Sequence, residues 1–225
     1  MTMNTKIILI RHAQSEKNIK DIHGGDGESL TFFGKIQAEG LTERLSKIGA
    51  NQKNAWLVYP ENTQTLETAQ IIATITGIPT HNISDFKPLY LGVVHGLSNE
   101  VVARKYPKCF ELLVRWRNKD LEICDLCIPG MEAPDTFYNR GIDVLKSIKE
   151  GCYNIFVATN SLYILLLNIL FGNTCKRGGD YKHFDIPNCG ITIFEKNTTG
   201  NYVLNMQLSD VEDVIRYGKT KGVNW

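Results

Sequence analysis

Three short apolar runs, each ending in a polar cluster and each followed by a helix-like segment, constrain the fold more than any other feature of the sequence. Ile7-Ile8-Leu9-Ile10 is long enough for a buried strand and too short for a helix. Trp56-Leu57-Val58-Tyr59 and residues 154–159 (Asn-Ile-Phe-Val-Ala-Thr) read the same way. Between them the period changes. Thr31 is placed to cap a helix reaching Ile48, with Ile36, Leu41, Leu45 and Ile48 forming an apolar stripe. A second helix is predicted over 63–76, with Leu66, Ala69, Ile72 and Ala73 on one face, and Gly77-Ile78-Pro79 stops it. A third, apolar helix follows over 161–171. Residues 189–196 and 202–206 read as two strands joined by Asn197-Thr198-Thr199-Gly200. Strands alternating with helices predict an α/β, three-layer sandwich around a mostly parallel central sheet.

Between about 92 and 151 the pattern turns to helix without strand. Ser98 is placed as a cap, Phe110 to Trp116 belongs to one helix, and Phe137, Gly141, Val144, Leu145 and Ile148 space out another. This stretch is predicted to be a helical insertion over the carboxyl ends of the strands. With 225 residues, the whole chain (1–225) is expected to form one domain carrying that insertion.

Charge and hydropathy narrow the function classes. Twenty-five Lys and Arg against 24 Asp and Glu leave a formal net charge of +1, which argues against a broadly basic nucleic-acid binder. A small anionic substrate stays possible, because a pocket needs only a few well-placed cations. The longest greasy stretch, 162–171, is about half the ~20 residues a membrane span needs, and no signal-peptide pattern opens the chain. A cytoplasmic protein with reduced thiols is therefore expected. Cys124-x-x-Cys127 lacks a second ligand pair at zinc-site spacing and reads as two ordinary thiols in a connecting segment. No metal or other cofactor is expected.

The polar clusters share one context. Arg11-His12 follows the first strand, Glu61 to Gln64 the second, and Asn160-Ser161 the third. Open α/β sheets bind ligands outside the carboxyl ends of their strands, which would bring Arg11, His12, Gln64 and Asn160 towards one pocket.

These residues carry a family likeness. Arg11-His12-Ala13-Gln14-Ser15-Glu16-Lys17-Asn18 resembles the RHGxTxxN signature of the histidine phosphatase (phosphoglycerate mutase-like) superfamily. The stretch Asp26-x-x-Ser29-Leu30-Thr31-x-x-Gly34-x-x-Gln37-Ala38 is similar to that family's D-x-x-LT-x-x-G-x-x-QA segment. Glu67-Thr68-Ala69 matches its ETA, Leu91-Gly92-Val93-Val94-His95-Gly96-Leu97 its FGxWEGL, and Pro129-Gly130-Met131-Glu132 its PGGES. The resemblance implies a phosphoryl transfer in which His12 is the nucleophile and Arg11, Ser15 and Asn18 serve the phosphate, on a small phosphorylated substrate. It implies no cofactor, while the charge balance and the short apolar runs speak against nucleic-acid and membrane partners.

The likeness also marks departures. The family's second Arg falls on Gln64, its second His on Asn160 and its general acid on Pro88, while the Gly after the nucleophile is Ala13. An amide still donates hydrogen bonds, so Gln64 and Asn160 are read as substrate-binding. A pocket holding Arg11, Gln64 and Asn160 matches a group of lower negative charge than a phosphate dianion. His95, at the Glu of the FGxWEGL segment, is either a replacement acid–base group or a turn residue. Asp85 is a more distant alternative. Arg117, in Arg115-Trp116-Arg117, either grips the substrate or sits solvated beside a packed Trp. Lys182-His183 is a further cationic cluster. Two functions follow: a divergent phosphoryl hydrolase or transferase using His12 covalently, or a catalytically inactive relative that binds a small anion or a partner protein.

Overall fold

The computed structural model of the protein describes residues 4–207. A six-stranded sheet runs in the order β3-β2-β4-β1-β5-β6. Strands β1 (Lys6–Arg11), β2 (Ala55–Tyr59), β3 (Thr80–Asn82) and β4 (Tyr153–Ala158) are mutually parallel. β5 (Ile191–Lys196) runs antiparallel to β1, and β6 (Tyr202–Gln207) pairs antiparallel with β5. β1 and β4 are buried on both faces, and this explains why each reads as a continuous apolar run rather than an alternating one.

Alternate side chains serve two cores. Ile8, Ile10, Leu57, Ile155 and Val157 pack with Leu41 and Leu45 of α2 (Phe32–Lys47) and with Ala69 and Ile72 of α3 (Thr63–Thr76). Ile7, Leu9, Val58 and Phe156 face the other way, onto α6 (Pro134–Leu145) and α7 (Asn160–Leu170). The result is the expected three-layer α/β sandwich.

Several local expectations hold in detail. Thr31 caps α2, its hydroxyl accepting from the Gly34 N–H, and Gly77 ends α3 in the left-handed region at φ 69°. The Ser98 hydroxyl accepts from Val101 N–H and caps α4 (Asn99–Lys105). Residues 92–151 contain α4, α5 (Pro107–Arg117) and α6 and, among the described residues, no strand. Three points differ. α6 stops at Leu145, short of Ile148. A one-turn helix α1 (Glu16–Ile19) follows the first strand, and the three exposed residues of β3 extend the parallel edge. Neither is long enough to show a period in sequence.

Gly92 sits at φ 57°, and a Cβ there would run into the Pro129 carbonyl and the Met131 amide, both backbone. Gly92→Ala is therefore expected to destabilise the fold by about 2–4 kcal/mol, combining left-handed strain with overpacking. Urea denaturation checks this, and an unchanged midpoint would remove the close approach as its reason.

Candidate active site

β2, β4 and β1 are neighbours in the sheet, so their carboxyl ends lie side by side. A cavity of about 60 Å³ opens there. Its polar wall is made by His12, just past β1, by Gln64 in the first turn of α3, and by Asn160 at the start of α7. Lys17 and Asn18 of α1, His23 from the following loop, Arg117 at the end of α5, and Thr159 and Ser161 beside Asn160 join it. Leu113 and Trp116 of α5, with Leu89 and Leu91, supply the apolar side. The helical segment thus closes over the sheet end and contributes side chains to the site.

His12 is 3% exposed, and its Nδ1 donates to the Ala13 carbonyl at 2.7 Å. That contact assigns the proton to Nδ1 and leaves the Nε2 lone pair bare. Burial first, then the charges of Arg11 and Lys17, push the His12 pKa down to about 3. The ring is neutral at any ordinary pH.

The loop after His12 is braced from several elements. Ala13 N–H donates to the Thr68 hydroxyl at 3.1 Å, and Gln14 N–H donates to Gln37 Oε1 at 3.0 Å. Glu67 accepts from Leu30 N–H at 2.7 Å, which ties α3 to the segment before α2. The Leu-Thr, Gln-Ala and Glu-Thr-Ala segments therefore hold the loop after His12 in place.

Asn18 Oδ1 accepts from the Ser15 N–H at 2.9 Å, from its hydroxyl at 3.1 Å and from Asn188 at 3.3 Å. This leaves the Asn18 Nδ2 donor for the cavity. Ser15 is fully buried and orients Asn18 rather than lining the wall. Arg11 lies behind the wall, 3% exposed, donating through Nη1 to the Ile186 carbonyl. Burial lowers its pKa to about 10, and its Nε has no hydrogen-bond partner among the described residues.

Gln64, Pro88 and Asn160, the three departures read from the sequence, all line the His12 cavity. Gln64 Oε1 and Asn160 Oδ1 are buried acceptors without a partner among the described residues. Arg117 reaches His23 Nδ1 at 3.2 Å and Asn99 at 3.5 Å. Burial and the charge of Arg117 hold His23 neutral, at a pKa of about 4.

His95 lines a second, larger cavity of about 660 Å³, together with Asp26, Glu61, Lys87, Tyr90, Glu132 and Arg140. Pro88 stands on the walls of both cavities. The His95 ring accepts from the Gly25 N–H at 2.9 Å, and it packs against Gly24, where no Cβ fits. Arg140 chelates Glu132 at 2.7 and 2.8 Å and donates to the carbonyls of Asp85 and Lys87, fixing the segment that leads to Pro88. Asp85 and Lys182 line neither cavity. His183 is buried edge-on against Trp116 at 4.8 Å between ring centroids.

Lys17 and His23 were not among the residues singled out from sequence. Lys17 stands inside the RHGxTxxN-like stretch at a variable position, and only the turn of α1 aims it inward. No sequence signal marks His23. Outside the two cavities, Glu122, Cys124 and Asp125 lie with ligand atoms within 4.8 Å of one another, in the connection between α5 and α6. Glu122 already accepts from Gly178 N–H and Asp125 from Arg177.

The model of the histidine phosphatase superfamily (branch 1) matches residues 7–208. The chain belongs to the histidine phosphatase superfamily. The probable phosphoglycerate mutase GpmB of Serratia proteamaculans is 26% identical over 172 residues, covering 74% of this chain and 75% of that one. The 6-phosphofructo-2-kinase/fructose-2,6-bisphosphatase of Gallus gallus is 27% identical over 106 residues, 47% of this chain but only 21% of that larger protein. Among solved structures, a mycobacterial glucosyl-3-phosphoglycerate phosphatase superposes with a TM-score of 0.72 at 17% identity, covering 90% of this chain and 97% of that one. The α-ribazole phosphatase of Shigella flexneri gives 0.69 at 18% identity, covering 91% and 96%. At such identities the structural likeness speaks for the histidine phosphatase fold. Among the described residues, no helix is long and apolar enough to cross a membrane.

Proposed function

We propose that the protein transfers or hydrolyses the phosphoryl group of a small phosphorylated compound through a phosphohistidine on His12. The observation that carries this reading is the state of His12, a neutral ring whose Nδ1 is tied to a backbone carbonyl. A lone pair on Nε2 is then ready to attack phosphorus without prior deprotonation. Asn18, Gln64 and Asn160 supply amide groups on the same wall, and Arg11 adds positive charge behind it.

From sequence, the loss of Arg and His at positions 64 and 160 favoured a substrate of low charge. Lys17 and Arg117 on the cavity wall change that balance, because each brings a cation from another element. They support a phosphomonoester dianion as the reacting group. Its alcohol portion fits the larger cavity beyond Pro88, whose volume lies in the range of small-molecule sites. We assign His95 to holding the Gly24-Gly25 loop, since its ring already accepts from the backbone and faces that second cavity.

Incubation with p-nitrophenyl phosphate, followed by acid-labile phosphate analysis of the protein, tests the reading. A phosphoenzyme is expected in the wild type and none in His12→Ala, with turnover reduced by at least about 10³-fold. Thermal stabilisation of the wild type by phosphate or vanadate, with no turnover and no phosphoenzyme, would instead identify a binding protein.

A further inference from the structure

We propose that Lys17 is the proton donor to the departing alcohol, doing from α1 what the residue at position 88, a proline, cannot do. The proposal rests on the phosphohistidine reading above and adds a residue and a step to it.

Elimination on the cavity wall points to Lys17. Four titratable side chains line it: His12, Lys17, His23 and Arg117. His12 is the nucleophile and Arg117 does not release its proton in a protein. His23 is held neutral beside Arg117, so it has no acidic proton to give near pH 7. Among the described residues, Lys17 is the one cavity group that is cationic and able to give up a proton. It is also 8% exposed, which keeps bulk water from doing the task in its place.

The groups around Lys17 are mixed in sign. Arg11 at the end of β1 opposes its charge, while Glu28 and Asp26 from the loop before α2 favour it. Its charge in turn lowers the pKa of His12, His23 and His95. Burial dominates and brings Lys17 down to about 8, close to the pH at which a general acid works best.

The step balances. As Nε2 of His12 forms the P–N bond, the ester P–O bond breaks and the Lys17 ammonium gives its proton to the departing oxygen. An alcohol leaves and Lys17 stays behind as a neutral amine. In hydrolysis, water attacks phosphorus, the P–N bond breaks, and Lys17 takes the proton that water loses. Phosphate leaves and both residues return to their starting states.

The test compares two esters on wild type, Lys17→Met and Lys17→Arg. p-Nitrophenolate departs without a proton, whereas the alkoxide of glycerol 2-phosphate needs one. Lys17→Met is expected to lose about 10²–10⁴-fold in kcat/KM, which reports the first phosphoryl transfer alone, on glycerol 2-phosphate and far less on p-nitrophenyl phosphate. Lys17→Arg, which keeps the charge but not the transferable proton, is expected to recover the aryl ester only. Wild-type kcat/KM on glycerol 2-phosphate should fall above about pH 8, a limb absent from the aryl ester. Equal losses on both esters in Lys17→Met, or recovery of both in Lys17→Arg, would overturn the proton-donor role and leave Lys17 as a charge alone. If the wild type turned over neither ester and formed no phosphoenzyme, the phosphohistidine reading would fall, and this step with it. Far-UV circular dichroism and melting of each variant separate misfolding from lost chemistry.

Discussion

Lowering the pH from 6 to 5 is expected to remove about 3–4 kcal/mol of folding stability, a large part of what a domain usually has. The cause is three histidines buried as neutral rings. His12 is held at a pKa of about 3, and His23 and His183 at about 4, with burial the largest cause in each. In the unfolded chain all three return towards the ordinary 6.5. Between those values the unfolded state holds more protons than the folded one, so stability falls as pH falls. Above about pH 7 both states are neutral at these rings and the effect vanishes. Each ring contributes close to 1.4 kcal/mol per pH unit once the unfolded form is fully protonated. Urea denaturation at constant ionic strength across pH 5–7.5 measures the slope, and a flat profile would contradict burial as neutral rings.

His183 permits a sharper version. It is 1% exposed, and neither ring nitrogen has a hydrogen-bond partner among the described residues. Asp185, 3.7 Å from Nδ1, raises its pKa, but burial outweighs that. His183→Phe keeps a flat ring against Trp116 and removes two unsatisfied atoms. Stability at pH 7 should rise by about 1–2 kcal/mol, and the acid slope should shrink by about one third.

Asn154→Ala is expected to cost about 4–5 kcal/mol. Asn154 is fully buried in β4, at the end of the sheet away from the cavity. Its Oδ1 accepts from Trp56 Nε1 at 2.6 Å and from Lys149 N–H at 2.8 Å. Its Nδ2 donates to the carbonyls of Lys6, Lys149 and Cys152 at 3.0–3.2 Å. The alanine variant would leave an indole N–H and an amide N–H without acceptors in the interior. Asn154→Asp keeps the acceptor but turns a carboxylate towards three carbonyls, so its deficit should be larger at pH 7 than at pH 5. Four residues of strand separate Asn154 from the site, roughly 13 Å, so the folded fraction should keep its activity. Equal stability of Asn154→Ala and wild type by urea denaturation would remove the network from the account of the fold.

The ease with which each part of the molecule was read follows from how local its cause is. The runs at 7–10 and 154–159 announced β1 and β4 because strands buried on both faces need apolar residues at every position. The ends of α2 and α3 were legible because Thr31 and Gly77 terminate them by bonds and dihedral angles within one turn. β3 was not, since its three exposed residues owe their extension to pairing with β2. His95 shows the same limit at the site. Its neighbours in sequence placed it near the sheet end, yet the Gly24-Gly25 loop directs its ring into the second cavity.

What the sequence determined by itself was the α/β sandwich and the meeting of Arg11, His12, Gln64 and Asn160 at one end of the sheet. Short-range patterns and the parallel order of the strands suffice for both. Which cations stand in that site was decided only by tertiary structure. Lys17 comes from a single helical turn after His12 and Arg117 from α5 in the helical segment, about 100 residues further along the chain. A cavity's charge is set by whatever side chains enter it, and no spacing along the chain records which distant ones do.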